Sequence, residues 1–283
     1  MQARRDVQLH SHDFEWEDLA RVCREQVGER ERERDEAEAD DDADQQQQQQ
    51  QQQQLAQVAK DKWEVFHQLN NGKAYKSRNY LVKEFPELLT MEKDEIQLLE
   101  LGCGYGSAVF PILDECPNVR AQVCDFSAHA IRVLQQNPRF DPRRCRAFVC
   151  DVARDELSGV APGSVDIALL VFVLSALPPA SVAPTLRKVF TALRPGGLVC
   201  FRDYGLYDLA MRRNAKRLSP SLYYRSDGTL AYFFSKADLA AYFERQCGFR
   251  ALESEYCTVR LTNRKKGVSM DRVWLHAKFQ KPW

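Results

Sequence analysis

Gly102, Gly104 and Gly106 stand at alternate positions after the apolar run Leu98-Leu99-Glu100-Leu101, and two later apolar runs end on Asp125 and Asp151. Glycines at this spacing free the backbone to take positive φ and let a ligand come into contact with the main chain. A carboxylate accepts two hydrogen bonds, which suits the paired hydroxyls of a ribose, and a second one suits the amino group of adenine. The chemistry indicated is the holding of a nucleoside. The loop reads G-x-G-x-G; the dinucleotide fingerprint G-x-G-x-x-G fails because Ser107 stands where its third glycine belongs. By itself such a loop is also explained by a plain strand-turn-helix.

For these residues to meet, each must close a strand of one parallel sheet. The apolar patterning predicts strands over 96–101, 120–124 and 146–150, and helices over 108–116, with Pro111 in the first turn, and 128–136, capped by Ser127. The almost purely apolar run 166–174 predicts a strand covered on both faces, followed by a helix over 182–193. Arg194-Pro195-Gly196-Gly197 then turns into a strand over 198–202, and 256–262 and 272–279 flank a polar connection as an antiparallel hairpin. Repeated βα winding implies a doubly wound α/β fold with right-handed crossovers. Ligands of such sheets bind at the carboxyl ends of the strands, so Gly102, Gly104, Asp125, Asp151 and the end of the 166–174 run share one crevice. This is the plan of a class I, Rossmann-like, S-adenosylmethionine-dependent methyltransferase: a mostly parallel seven-stranded sheet with a C-terminal antiparallel hairpin. Two strand-end acids and the L-R-P-G-G turn favour S-adenosylmethionine over NAD.

The net charge of the 283 residues is zero, but it is unevenly spread. Residues 1–54 hold 7 arginines and 16 acidic residues, a net of −9, which leaves +9 on 55–283. The first segment also holds ten consecutive glutamines over 45–54 and reads as a disordered acidic and polyglutamine arm. The folded unit is expected over 55–283, with 55–92 as a segment capping the substrate and cofactor sites. Nine cysteines include no C-x-x-C pair and no zinc-like cluster, so they read as reduced thiols and no metal is expected. No apolar stretch approaches the roughly 20 residues that span a bilayer, and the expectation is a cytoplasmic or nuclear protein.

Several stretches are not generic to the fold: Trp63-Glu64-Val65-Phe66, Tyr75-Lys76-Ser77-Arg78, Glu84-Phe85-Pro86-Glu87-Leu88, Phe172-Val173-Leu174-Ser175-Ala176, Arg202-Asp203-Tyr204-Gly205-Leu206-Tyr207-Asp208, the run 223–234, and Asn263-Arg264-Lys265-Lys266. Together they resemble the tRNA 3-methylcytidine methyltransferases over roughly 60–283. The 202–208 run and the N-P-x-F-D-x-x-R-C segment at 137–145 are most similar to the branch acting on serine tRNAs. The resemblance implies methylation of cytidine N3 in the anticodon loop, at position 32, with seryl-tRNA synthetase as a partner. Carried over by position, it implies cofactor contacts from Trp63, His67, Gly102, Asp125, Asp151, Val152 and Val171. Two residues depart from the family pattern: its usual tyrosine is His67, and its K-D-R triplet reads Lys76-Ser77-Arg78.

Cytidine N3 carries a lone pair in the neutral base, so its methylation asks for alignment and a water-poor pocket more than for a strong base. An anticodon loop offers an unpaired base that can be splayed out and stacked on aromatic rings. Asp203 is the expected principal substrate carboxylate, stabilising the cationic product. Arg78 is assigned to the cofactor; Lys76, Tyr204, Arg225, Arg264, Lys265 and Lys266 are assigned to tRNA, with further phosphate contacts from 212–217. Two other readings stay open at this stage: the same fold acting on a small molecule or a protein, and an adaptor that binds tRNA or synthetase through a decayed active site.

Overall fold

The computed structural model describes residues 12–35, 45–70, 76–213, 216–225, 227–263 and 267–283. Its centre is a strand of seven residues, all buried, Val165–Val171, whose sequence VDIALLV leaves no polar face for water. Around it runs a seven-stranded sheet. In chain order its strands are β1 (Ile96–Leu101), β2 (Val119–Asp125), β3 (Cys145–Val149), β4 (Val165–Val171) and β5 (Leu193–Tyr204), with β9 (Arg250–Asn263) and β10 (Val268–Gln280) at the end of the chain. The spatial order is β3-β2-β1-β4-β5-β10-β9; the first five are parallel and β10 runs antiparallel to both its neighbours. This is the expected methyltransferase sheet with its C-terminal hairpin. Alternation along each strand builds two cores: Leu99, Leu101, Ala168 and Leu170 face one side, and Ile96, Leu98, Ile167 and Leu169 the other.

Short helices precede and join the strands: α3 (Leu81–Glu84), α4 (Glu87–Thr90), α5 (Val109–Glu115), α6 (Ala128–Gln135) and α7 (Pro179–Ala192). Ser127 caps α6 as its position predicts, its hydroxyl accepting from Ala130 N at 3.1 Å. α7 begins earlier than the apolar pattern suggests because Pro179 takes a first-turn position, where its missing N–H costs nothing. The predicted turn at 194–197 lies within β5. There the pairing jumps from Val165↔Leu193 to Ile167↔Leu198, so the turn residues form an irregularity in a longer strand.

One feature of the structure corrects the sequence reading and a second adds to it. Residues 1–54 read as a disordered arm, yet α1 (Trp16–Asp35) and α2 (Gln45–Asn70) are helices, the second taking in the whole glutamine run. Residues 1–11 and 36–44 lie outside the described residues. The cause is a handful of anchors that an average composition hides. Trp16 stacks on Tyr256 at 4.2 Å and donates from Nε1 to Leu206 O at 3.2 Å, and Ala20 and Cys23 are buried. The segment before α1 covers β9, the edge strand: Asp13 N donates to Thr258 O at 3.0 Å and Arg260 N to Asp13 Oδ2 at 2.7 Å. Second, 209–232 forms a helical turn, α8 (Leu209–Arg212), and a small antiparallel sheet of β6 (Lys216–Ser219), β7 (Leu222–Tyr224) and β8 (Leu230–Tyr232). Strands of three or four residues carry too little periodicity to read in sequence. A further helical segment, α9 (Lys236–Leu239), leads back to β9.

Candidate functional site

The loop after β1 has the geometry that its glycines suggest. Gly102 and Gly104 sit at φ +65° and +51°, and a Cβ on Gly102 would meet Val173 Cγ2 at 2.6 Å. Asp125, at the end of β2, ties this loop to the start of α6: its Oδ2 accepts from Gly104 N at 2.9 Å and its Oδ1 from Ser127 N at 3.0 Å. Each oxygen keeps a lone pair for a further donor. Burial raises the Asp125 pKa, against the opposing pull of His67 and the two backbone N–H groups.

A cavity of about 350 Å³ opens over this loop. Helix α2 walls one side with Lys60, Trp63 and His67, a spacing that puts three side chains on one helical face. His67 is 4% exposed, its Nε2 lies 4.0 Å from Asp125 Oδ1, and Tyr105 Oη donates to its carbonyl at 2.5 Å. Burial lowers the His67 pKa, against the opposing pull of Asp125. His67 Nδ1 and Trp63 Nε1 are buried polar atoms with no hydrogen-bond partner among the described residues. Lys60 reaches Asp151, Nζ to Oδ2 at 2.7 Å, while Asp151 Oδ1 accepts from Ala153 N at 3.2 Å. Val152 and Val171 line the same cavity. Two orphaned ring nitrogens, a glycine turn at positive φ and strand-end carboxylates fit S-adenosylmethionine, whose ribose, adenine and charged amino acid need acceptors, ring faces and close main-chain contact.

Glu100, which the sequence reading passed over, is 3% exposed on this wall. Burial pushes its pKa up to about 8, with Arg78 pulling down and Asp125 pushing up. A lone acid among the leucines of β1, two residues before Gly102, is the signal that marks it. Arg78 donates to Val171 O at 3.3 Å and lies over the Phe172 ring at 4.9 Å. Phe172 holds φ +56°, a strained conformation for a bulky residue that the surroundings must enforce. Its ring sits 5.1 Å from that of Tyr204.

The remaining wall comes from distant parts of the chain. Arg225 and Leu230 reach in from the small sheet, and Arg272 and Trp274 from β10. Arg272 is fixed by the buried Asp208, Nε to Oδ2 at 2.8 Å and Nη2 to Oδ1 at 3.3 Å. The Trp274 ring has the Arg202 and Arg272 guanidiniums at 4.9 and 5.2 Å. Arg202 in turn pairs with the buried Glu84, which also meets His276 Nδ1 at 3.0 Å, so α3 is locked to this end of the sheet.

Of the sequence-predicted residues, Trp63, His67, Arg78, Gly102, Gly104, Asp125, Asp151, Val152, Val171, Tyr204 and Arg225 line the cavity. Lys76 is exposed and outside it, and Arg264, Lys265 and Lys266 lie outside the described residues. Asp203 is a correction. Its carboxylate is fully buried and off the cavity wall, with Oδ2 accepting from Ser175 N at 3.0 Å and Oδ1 from Tyr204 N at 2.8 Å. Successive residues of a strand face opposite sides, so Tyr204 takes the cavity face and Asp203 holds Ser175, which lines it. Burial raises the Asp203 pKa to about 6.

Comparison with known proteins agrees with this geometry. A family model described as a methyltransferase domain matches residues 99–199. The chain is 41% identical over 234 residues to the human tRNA N(3)-cytidine methyltransferase METTL6, covering 81% of this chain and 82% of that protein. It is 39% identical over 227 residues to the tRNA N(3)-methylcytidine methyltransferase trm140 of Schizosaccharomyces pombe, covering 77% and 73%. A solved S-adenosylmethionine-dependent methyltransferase from Anabaena variabilis shares the fold, with a TM-score of 0.57 at 14% identity over 78% of this chain and 93% of that one. At that identity over that share of its length, the chain belongs to the tRNA N(3)-cytidine methyltransferase family.

Proposed function

We propose that this protein methylates N3 of a cytidine in the anticodon loop of tRNA, at position 32, with serine tRNAs as substrates and seryl-tRNA synthetase as a partner. The observation that carries the reading is a single cavity with two unlike walls. One is the glycine loop with Asp125 and Asp151; the other is the aromatic and cationic set of Phe172, Tyr204, Arg225 and Trp274. When bound at the first, S-adenosylmethionine supplies an electrophilic methyl group on a sulfonium. The second suits a splayed base, with Phe172 and Tyr204 as ring faces and Arg225 toward a phosphate. Since the N3 lone pair is the nucleophile, the chain's own residues have to position the base and exclude water rather than remove a proton. Asp203 contributes by holding the Ser175 backbone on the cavity wall. The names of the curated relatives support the tRNA substrate. Nine free cysteines support placing the protein in the reducing cytoplasm and nucleus.

The finer claims are tested by incubating the purified protein and S-adenosylmethionine with serine and threonine tRNA transcripts, with and without seryl-tRNA synthetase. The reading expects 3-methylcytidine at position 32 of the serine tRNA and stimulation by the synthetase. Equal modification of both tRNAs, unaffected by the synthetase, contradicts the serine assignment.

A further inference from the structure

Each of the two strand-end carboxylates of the cofactor site is directly preceded by a cysteine: Cys124 before Asp125 and Cys150 before Asp151. The strands that carry them are neighbours, with Asp125 paired to Val149 and Cys150 N donating to Asp125 O at 2.9 Å. Both side chains enter the same apolar core, where the Cys150 thiol donates to Glu156 O at 3.7 Å. Cys150, 4% exposed, also lines the cofactor cavity; Cys124 is at 0% exposure and off its wall.

We propose that Cys124 and Cys150 are a redox modification site, forming a reversible disulfide when a hydroperoxide enters the cavity, and that this closure disables the cofactor site by displacing Asp151. The inference rests on the cavity's holding the methyl donor. The two thiols are unequal. The neighbouring Cys124 thiol holds Cys150 below an ordinary thiol, while Cys150 and burial hold Cys124 well above one. Cys150, the more acidic and the more accessible, is therefore the attacking group. Its thiolate attacks one peroxide oxygen and the O–O bond breaks, giving a sulfenic acid and a hydroxide that takes up a proton. Cys124 sulfur then attacks the Cys150 sulfur and expels the sulfenic oxygen, which leaves as water with the Cys124 proton. In balance, two thiols are oxidised to one disulfide and one hydrogen peroxide is reduced to two waters.

The consequence follows from the strand ends. Closing the pair to a covalent bond draws Cys150 toward β2, because Cys124 is fixed inside a paired strand and Cys150 sits just past the end of β3. Asp151 moves with the adjacent residue, away from Lys60 Nζ and Ala153 N, which hold it. Asp125, inside the ladder and held by Gly104 and Ser127, moves less. The effect falls on the adenine side of the site.

The test uses the full chain. Protein treated with hydrogen peroxide is digested without reduction and mapped by mass spectrometry, and donor binding is measured by calorimetry on reduced, oxidised and re-reduced samples. The expected result is a Cys124–Cys150 cross-link, a loss of donor affinity of about tenfold or more, and recovery with dithiothreitol. Cys124→Ala removes the buried partner without touching the cavity wall and is expected to bind the donor normally before and after peroxide. Should Cys124→Ala not fold, the map and the reversibility on the natural protein decide alone. The proposal is overturned if the pair stays reduced while other thiols oxidise, if the cross-link forms with affinity unchanged, or if Cys124→Ala loses affinity to peroxide as the natural protein does. Reduced protein that fails to bind the donor refutes the cofactor reading instead, and the cross-link map still decides the disulfide.

Discussion

Glu100→Gln is expected to stabilise the protein, and by an amount that grows with pH. The Glu100 carboxyl is 3% exposed, with Oε2 buried and without a hydrogen-bond partner among the described residues. Burial lifts its pKa from 4.5 to about 8. The folded protein therefore keeps a proton that the unfolded chain releases above about pH 4.5, and stability falls as pH rises from there to about pH 8. Each pH unit inside the window costs about 1.4 kcal/mol, so the burden reaches roughly 3 kcal/mol at pH 7. Glutamine has the shape of the protonated acid and does not titrate. Urea unfolding of both proteins at pH 5, 6, 7 and 8 isolates the effect, since other groups cancel in the difference. The stability of Glu100→Gln relative to the natural protein should be near zero at the acid end and rise steadily. A difference that is flat with pH, or that shrinks as pH rises, refutes the buried neutral acid.

Other perturbations separate the parts of the site. Asp125→Asn replaces one of two oxygens that each accept a backbone N–H by an NH₂ donor, so donor affinity measured by calorimetry should fall about tenfold or more; unchanged affinity removes Asp125 from the cofactor site. Asp203→Asn should lower kcat while donor affinity holds, and should erase an acidic limb near pH 6 from the pH profile, since the natural carboxylate is ionised only above its raised pKa of about 6. A limb that survives in the variant belongs to another group. Trp16→Ala loses a stacked ring and an indole hydrogen bond and should cost about 2–3 kcal/mol in denaturant unfolding; no cost means that α1 is not docked. Arg225→Ala should weaken tRNA binding and reduce the slope of log affinity against log salt by about one, and an unchanged slope removes it as a phosphate contact.

The glycine loop, Asp125 and Asp151 are legible in sequence because each lies within a few residues of a strong local signal, an apolar run that must stop. The sheet follows from the same signals repeated. Side parity is harder to read. Asp203 and Tyr204 both sit at the end of β5, and only the register against β4 and β10 says which of the two faces the cavity. Trp274 and Arg272 reach the site from a strand some 170 residues after the glycine loop, with nothing local to mark them. Trp63 and His67 enter only through the family resemblance and Lys60 not at all: their spacing is helical, but the glutamine run before them masks the helix that continues through it. Trp16 shows the same failing: one anchored indole outweighs a polar composition when an edge strand and an aromatic ring are waiting for it.

The most direct test of the account incubates the purified protein with methyl-labelled S-adenosylmethionine and unfractionated tRNA, then digests the tRNA to nucleosides and identifies the labelled one. The account expects the label in 3-methylcytidine. Label in any other nucleoside, or none in tRNA from a protein shown to bind the donor, would contradict it.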